Sequence, residues 1–197
     1  MEKVVGFARE HYGAQAVETV QMWRRILDSS AALDEPAKLE AVNTFVNRIV
    51  MFEDDQVVWG QSDFWATPVE SMGRGQGDCE DFSIAKYVSL GILGVPIEKL
   101  RITYVKAELG VPGHGVSQAH MVLAYYATPD AEPLVLDNLV GEIRPASRRP
   151  DLRPVFGFNS QGLWVAGQSN GPAQADPTAR LSRWRDLLSR MRQQGLN

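Results

Sequence analysis

Gly73–Gly94, GRGQGDCEDFSIAKYVSLGILG, decides how the chain is read. It carries the only cysteine, Cys79, behind Gly73, Gly75, Gln76 and Gly77. From Glu80 to Ile92 the residues Phe82, Ile84, Ala85, Val88 and Leu90 keep an apolar side, with Gly91 and Gly94 near the end, so the spacing predicts a helix. A flexible turn thus delivers Cys79 to a helix N-terminus, where unpaired N–H groups and the helix dipole favour the thiolate. A lone cysteine is often just a small buried core residue. Asp78 and Glu80 argue against that use here, because carboxylates sit badly in an apolar core. They also oppose thiolate formation, so a nucleophilic Cys79 needs a positive group beside it, from a histidine, a bound cation or both.

Upstream, Val4 to Tyr12 is a short mixed segment, and Ala14 to Ser29 has helical spacing through Val17, Val20, Trp23 or Arg24, and Leu27. Asp34, Glu35 and Pro36 form a helix start signal. The helix they open runs to about Val50 with Leu39, Val42, Val46 and Ile49 as its apolar stripe. Phe52 to Met72 then reads as a long connector in which Asp54, Asp55, Asp63 and Glu70 lie among Trp59, Phe64 and Trp65. A connector of that length is expected to serve the cleft rather than merely to link helices.

Downstream the pattern becomes strand-like. Leu100–Val105 and Gln118–Tyr126 are predicted strands flanking a glycine-punctuated loop, Ala107–Ser117, and Pro133–Asp137 is a third strand. Short turns between them imply an antiparallel sheet, and helices preceding strands imply an α+β fold. Val155–Trp164 is a further strand pair or bulged edge. Arg144–Pro154 is rich in arginine and proline, Gln168–Pro177 is a polar linker, and Leu181–Met191 is a basic terminal helix.

The chain has 197 residues, enough for one domain spanning 1–197 with a sizeable core. A net charge of −4 gives no support for broad nucleic-acid binding. One cysteine excludes an internal disulfide and any cysteine-rich zinc site. No membrane-spanning run is present, and MEKVVGFAREHYG lacks the apolar core of a signal peptide. Either the protein is cytoplasmic or a leader has been removed.

Of the three histidines, His11 lies near the N-terminus, His114 in a loop and His120 inside a predicted strand on the face of Val122 and Ala124. A cysteine nucleophile needs a base within hydrogen-bond reach, and the base needs an orienting group. His120 suits the first role. Asp137, ending the next strand about 4.8 Å away, suits the second.

GDCEDFSIAKY, SQAHMVLAYY and LVLDN, together with WGQSDFWATPVE, resemble the bacterial transglutaminase-like cysteine proteinases, in particular their periplasmic adhesin-cleaving branch. The resemblance runs from about Val42 to Trp164. It implies a papain-like, transglutaminase-like fold, N-terminal helices packed on an antiparallel sheet, with Cys79 as nucleophile, His120 as base and Asp137 as orienter. It implies calcium dependence, with Asp78 and Glu80 as acidic determinants beside the nucleophile. Calcium takes several hard oxygen ligands. Asp78, Glu80 and Asp81 supply three, and the connector offers Asp54, Asp55 and Asp63. The plainer use of Asp78 and Asp81 is to cap the helix. The resemblance further implies a large repeat-containing surface adhesin as substrate, cut near its N-terminus after a pair of alanines to disperse a biofilm. An inner-membrane cyclic di-GMP receptor would sequester the enzyme through its periplasmic domain. The residues alone leave two other functions open, a transglutaminase or amidase and a non-catalytic binding domain.

Overall fold

The computed structural model describes residues 1–110, 115–166 and 181–196. His114 and the polar linker Gln168–Pro177 lie outside the described residues.

The N-terminal segment is helical throughout. Helix α1 spans Glu2–Ser30 and breaks at Gly13 (φ 81, ψ −166). Val4, Ala8, Ala16, Val20, Trp23 and Leu27 are its buried stripe. Asp34 caps α2, Glu35–Ile49, by accepting from the Ala37 N–H at 3.0 Å. Leu39, Val42 and Val46 then face the core. The predicted connector holds more regular structure than expected: β1 (Met51–Phe52), α3 (Asp55–Val58) and α4 (Pro68–Arg74). α4 starts in a reciprocal capping box between Thr67 and Glu70, with Pro68 in its first turn. Gly75 closes it in the left-handed region (φ 68), where glycine carries no Cβ penalty. The chain passes through β2 (Gln76–Gly77), paired in parallel with β1, and enters α5, Cys79–Ile92.

α5 is buried from Asp81 to Leu90, which is why its apolar side reads so broadly in the sequence. It packs against β4, β3, α2 and α4. The Trp23 indole N–H reaches the Ser89 hydroxyl at 2.9 Å and ties α1 to it.

Six antiparallel strands follow in the order β6-β5-β4-β3-β7-β8. They are β3 (Leu100–Leu109), β4 (Val116–Tyr125), β5 (Leu134–Leu136), β6 (Arg144–Pro145), β7 (Leu152–Phe158) and β8 (Leu163–Val165). β3 and β4 pair from Leu100↔Tyr125 to Leu109↔Val116, so both strands continue into the segment expected to be a loop. Strand alternation sends Met121, Leu123 and Tyr125 into the main core. His120 and Val122 alternate with them, and Val122 joins Val105 and Val135 in a small second cluster flanked by Ala146 and Leu152. Helix α6 (Ser182–Gln194) returns to the body of the fold. Its buried Trp184 meets Tyr87 and Phe158 edge-on at 5.7 and 5.3 Å. No helix among the described residues is long and apolar enough to cross a membrane.

Candidate active site

Cys79 is the first residue of α5. Asp78 holds the N-cap position with extended backbone but makes no side-chain cap bond, so the plain capping role fails for it. The Cys79 thiol instead donates to Glu80 Oε2 at 3.0 Å. Burial and then Glu80 and Asp78 push the thiol well up, while the Met121 backbone N–H works the other way. The acidic neighbours thus exert the opposition to thiolate that their position in the sequence foretells.

His120 is 5 % exposed, and Asp137 follows β5 directly. Imidazole Nε2 lies 2.7 Å from Asp137 Oδ1. Nδ1 is therefore the ring atom left for other chemistry. Cys79 and His120 line a common cavity of about 200 Å³ with Phe52, Asp78, Glu80 and Leu139. They also line a second one of about 400 Å³ with Trp65, Tyr104 and Phe156. The nucleophile candidate thus borders two hollows. Gln76 lines neither, whereas Gln118 lines the first.

Asp137 is held from several directions. Its Oδ1 also accepts from the Leu139 N–H at 3.1 Å, and its Oδ2 accepts from Arg149 Nη2 at 2.8 Å. From α2, Asn47 donates to the Asp137 carbonyl at 2.9 Å and Asn43 to the Gly141 carbonyl at 2.8 Å. Burial pushes the carboxyl up, but the hydrogen bonds from His120 and Arg149 outweigh it and hold Asp137 down at about 2. The anionic form is the one these bonds favour.

The acidic residues divide differently from the sequence expectation. Asp78, Cys79 and Glu80 form one close group, and Asp55, Asp78 and Asp81 form another whose oxygens lie within 4.8 Å of one another. Asp55 Oδ1, Asp78 Oδ1 and Asp81 Oδ2 are all buried with no hydrogen-bond partner. The remaining oxygens of two of them are fixed by the connector: Ala66 N–H donates to Asp81 Oδ1 at 2.7 Å, and Phe64 N–H donates to Asp55 Oδ2. Gly77 leaves the space this requires, since a Cβ there would stand 2.7 Å from Asp81 Oδ2. Burial and mutual repulsion raise Asp55 to about 6, Asp78 to about 10, and Asp81 well above the ordinary carboxylate range. Three orphaned buried carboxylate oxygens converging without imidazole or further thiolate fit a hard divalent cation such as calcium. Of the three connector acids, only Asp55 joins this group. Asp54 lines the first cavity, and Asp63 pairs with Arg183 at 2.7 Å.

His11 packs on Phe7, with ring centroids 4.1 Å apart, and lines neither cavity. Arg149, Asn43 and Asn47 were not singled out by sequence reasoning. Nothing in RRPDLRP separates Arg149 from its neighbouring arginines, and the two asparagines look like ordinary polar positions of a helix.

A family model described as bacterial transglutaminase-like cysteine proteinase matches residues 10–151. Among solved structures, calcium-bound LapG of Legionella pneumophila is 39% identical, with a TM-score of 0.82 over 96% of this chain and 98% of that one. The EGTA-treated form of the same protein is 40% identical, with a TM-score of 0.83 over 96% of each chain. The overall fold resembles the two forms equally. A comparison with curated proteins gave no match.

Proposed function

The chain belongs to the bacterial transglutaminase-like cysteine proteinases, and from that premise we propose a calcium-dependent endopeptidase in which Cys79 is the nucleophile, His120 the base and Asp137 its orienter. The observation that carries the proposal is the buried 2.7 Å contact of His120 with Asp137, in a residue that shares a cavity with Cys79.

With Nε2 committed to Asp137, Nδ1 takes the proton of the Cys79 thiol, which must first turn from Glu80 to the imidazole. The thiolate attacks the scissile carbonyl carbon, and N–H groups at the start of α5, that of Cys79 among them, receive the oxyanion. The tetrahedral adduct collapses, the amine leaves with the proton from Nδ1, and an acyl thioester remains. Water gives a proton to Nδ1 and attacks the thioester. The acid departs and Cys79 regains its proton. Asp55, Asp78 and Asp81 would hold the calcium, with Glu80 alongside. When bound, the ion supplies positive charge against the carboxylates that crowd the thiol.

The substrate we propose is the large surface adhesin that the sequence resemblance implies, cut near its N-terminus after a di-alanine in the periplasm. The same resemblance supports a cyclic di-GMP receptor's periplasmic domain as inhibitor. Phe52, Leu109 and Leu139 are 40–50% exposed around the first cavity and offer it an apolar landing surface.

The test is incubation of wild type and C79A with an adhesin fragment containing the di-alanine, in calcium and in EGTA. Two pieces from wild type in calcium alone, and none from C79A, are expected. Magnesium should restore the chelated enzyme poorly, because it demands a tighter octahedral shell. A crosslinked adduct would make the protein a transferase, and an unmodified complex would make it a binding domain.

A further inference from the structure

Arg149 takes no part in the steps proposed above, yet it is among the most buried charges of the described residues. The residue is 3 % exposed and its side chain 2 %. It follows the 3-10 turn Ala146–Arg148 and closes that turn through its own N–H to the Ala146 carbonyl at 2.9 Å. A guanidinium taken from water at that depth is tolerated only when its donors are matched by anions in good geometry. Two carboxylates do this for Nε and Nη2, while Nη1 is buried without a hydrogen-bond partner. Nε donates to Asp151 Oδ1 and Oδ2 at 3.0 and 3.2 Å, and Nη2 donates to Asp151 Oδ2 at 2.7 Å. The same Nη2 donates to Asp137 Oδ2 at 2.8 Å.

Asp137 is therefore inside a row, His120–Asp137–Arg149–Asp151, that is buried as far as Arg149 and meets solvent at Asp151, whose side chain is 37 % exposed. Its two oxygens are divided, Oδ1 to the imidazole and Oδ2 to the guanidinium, so the carboxylate plane cannot rotate about χ2 without breaking one bond. Charge explains why the row needs its outer member. Arg149 alone would cancel Asp137 and weaken its hold on a protonated imidazole. With Asp151 bound to the far side of the guanidinium, Asp137, Arg149 and Asp151 together carry one negative charge, and Asp137 keeps its attraction for His120. Lys86 of α5, 1 % exposed, also faces Asp137, which favours its charged form, but burial pulls the amine down to about 7.

We propose that Arg149, anchored by Asp151, is a positioning residue that fixes the Asp137 carboxylate for His120. The proposal rests on the reading of Cys79 and His120 as nucleophile and base. It deepens that reading by adding a residue from the segment after β6.

The experiment uses the full chain and the adhesin fragment named above, with Arg149→Met and Arg149→Lys beside wild type. Two readouts are taken. One is kcat and KM for cleavage. The other is the exchange-protected downfield proton signal of the His120 Nε2–H, assigned by its absence in His120→Gln. Arg149→Met should lower kcat roughly 10- to 100-fold, the range for losing an outer partner around a metal-bound histidine, carried over here to the partner of the carboxylate that holds His120, with KM changed less than about threefold. Its Nε2–H signal should vanish into exchange while circular dichroism remains native. Arg149→Lys keeps the charge but not the fork, and should fall between the two in both readouts. Wild-type kcat together with a wild-type signal in Arg149→Met overturns the proposal. If that variant does not fold, the same result in Arg149→Lys overturns it, because one ammonium cannot hold two carboxylates in a fork. A wild-type protein that cleaves nothing sinks the enzymatic reading instead, while the Nε2–H signal still decides the role of Arg149.

Discussion

Replacing Asp55 by Asn should move stability in opposite directions with and without calcium. Asp55 is 5 % exposed and its carboxyl is raised from 3.8 to about 6, first by burial and then by Glu80 and Asp63. About two units correspond to roughly 3 kcal/mol at 1.36 kcal/mol per unit, so keeping Asp55 ionised at neutral pH costs the metal-free fold on the order of 2–3 kcal/mol. Asparagine keeps an oxygen for the Phe64 N–H and removes the charge. For a chain of this length 1 kcal/mol moves Tm by about 2–4 °C, so D55N in EGTA should melt roughly 4–12 °C above wild type at pH 7. In saturating calcium the order should reverse, because the variant has lost an anionic ligand and gains less from RT ln(1 + [L]/Kd). The pH dependence has a definite sign. A raised carboxyl favours the folded state below its unfolded value near 3.8, and that contribution is lost as pH rises through about 6. Chelated wild type should therefore gain on D55N between pH 7 and pH 5. Thermal melts followed by circular dichroism, with calorimetric calcium titration, check this. A D55N protein that is destabilised equally in EGTA and in calcium would refute the idea that these carboxylates are held together against their repulsion for a cation.

Asp137→Asn should lose at least about 100-fold in kcat with little change in KM, since the imidazole loses the anion that orients it; steady-state kinetics on the adhesin fragment decide. The same carboxyl makes a stability prediction: its folded value of about 2 lies below 3.8, so roughly 2 kcal/mol is present above pH 4 and lost as pH falls toward 2. Wild type should thus lose its advantage over D137N in that window, as read by acid titration of the fold. Arg190→Met should destabilise by about 3–5 kcal/mol, the cost of leaving a buried charge unpaired, because Arg190 holds Glu70, which is 5 % exposed; urea denaturation gives the value, and a loss below about 1 kcal/mol would mean that Gln194 and Thr67 suffice.

The nucleophile helix, the α2 start and the histidine strand were legible because each carries a local signal: a glycine-rich entry before Cys79, a cap and proline at Asp34–Pro36, and a polar residue inside an apolar alternation. α4 was missed although Thr67, Pro68 and Glu70 spell a capping box, because the aromatics and acids around them resemble a loop. The reach of β3 and β4 beyond Val105 was hidden for a related reason: ladder pairing there overrides weak strand propensity in Lys106–Leu109. Asp55 and Arg149 are a different case. They meet Asp81 and Asp137 only through tertiary folding, across 26 and 12 residues of chain, and no period or spacing in the sequence reports such a meeting.

The hold of α6 on the segment before α4 has a consequence in time. Thr67 donates to Gln194 Oε1 at 2.6 Å, Gln194 donates to Glu70 Oε1 at 2.7 Å, and Arg190 donates to the Trp65 carbonyl at 2.6 Å. Trp65 and Thr67 flank Ala66, whose N–H holds Asp81. These bonds join residues more than 120 positions apart. Cys79, His120 and Asp137 all precede α6 in the chain, so the wall beside the thiol is braced only once α6 has docked. Assembly of the proposed catalytic residues and steadying of the cleft are thus separate events in folding, and activity should arrive with the docking of α6 rather than with the nucleophile.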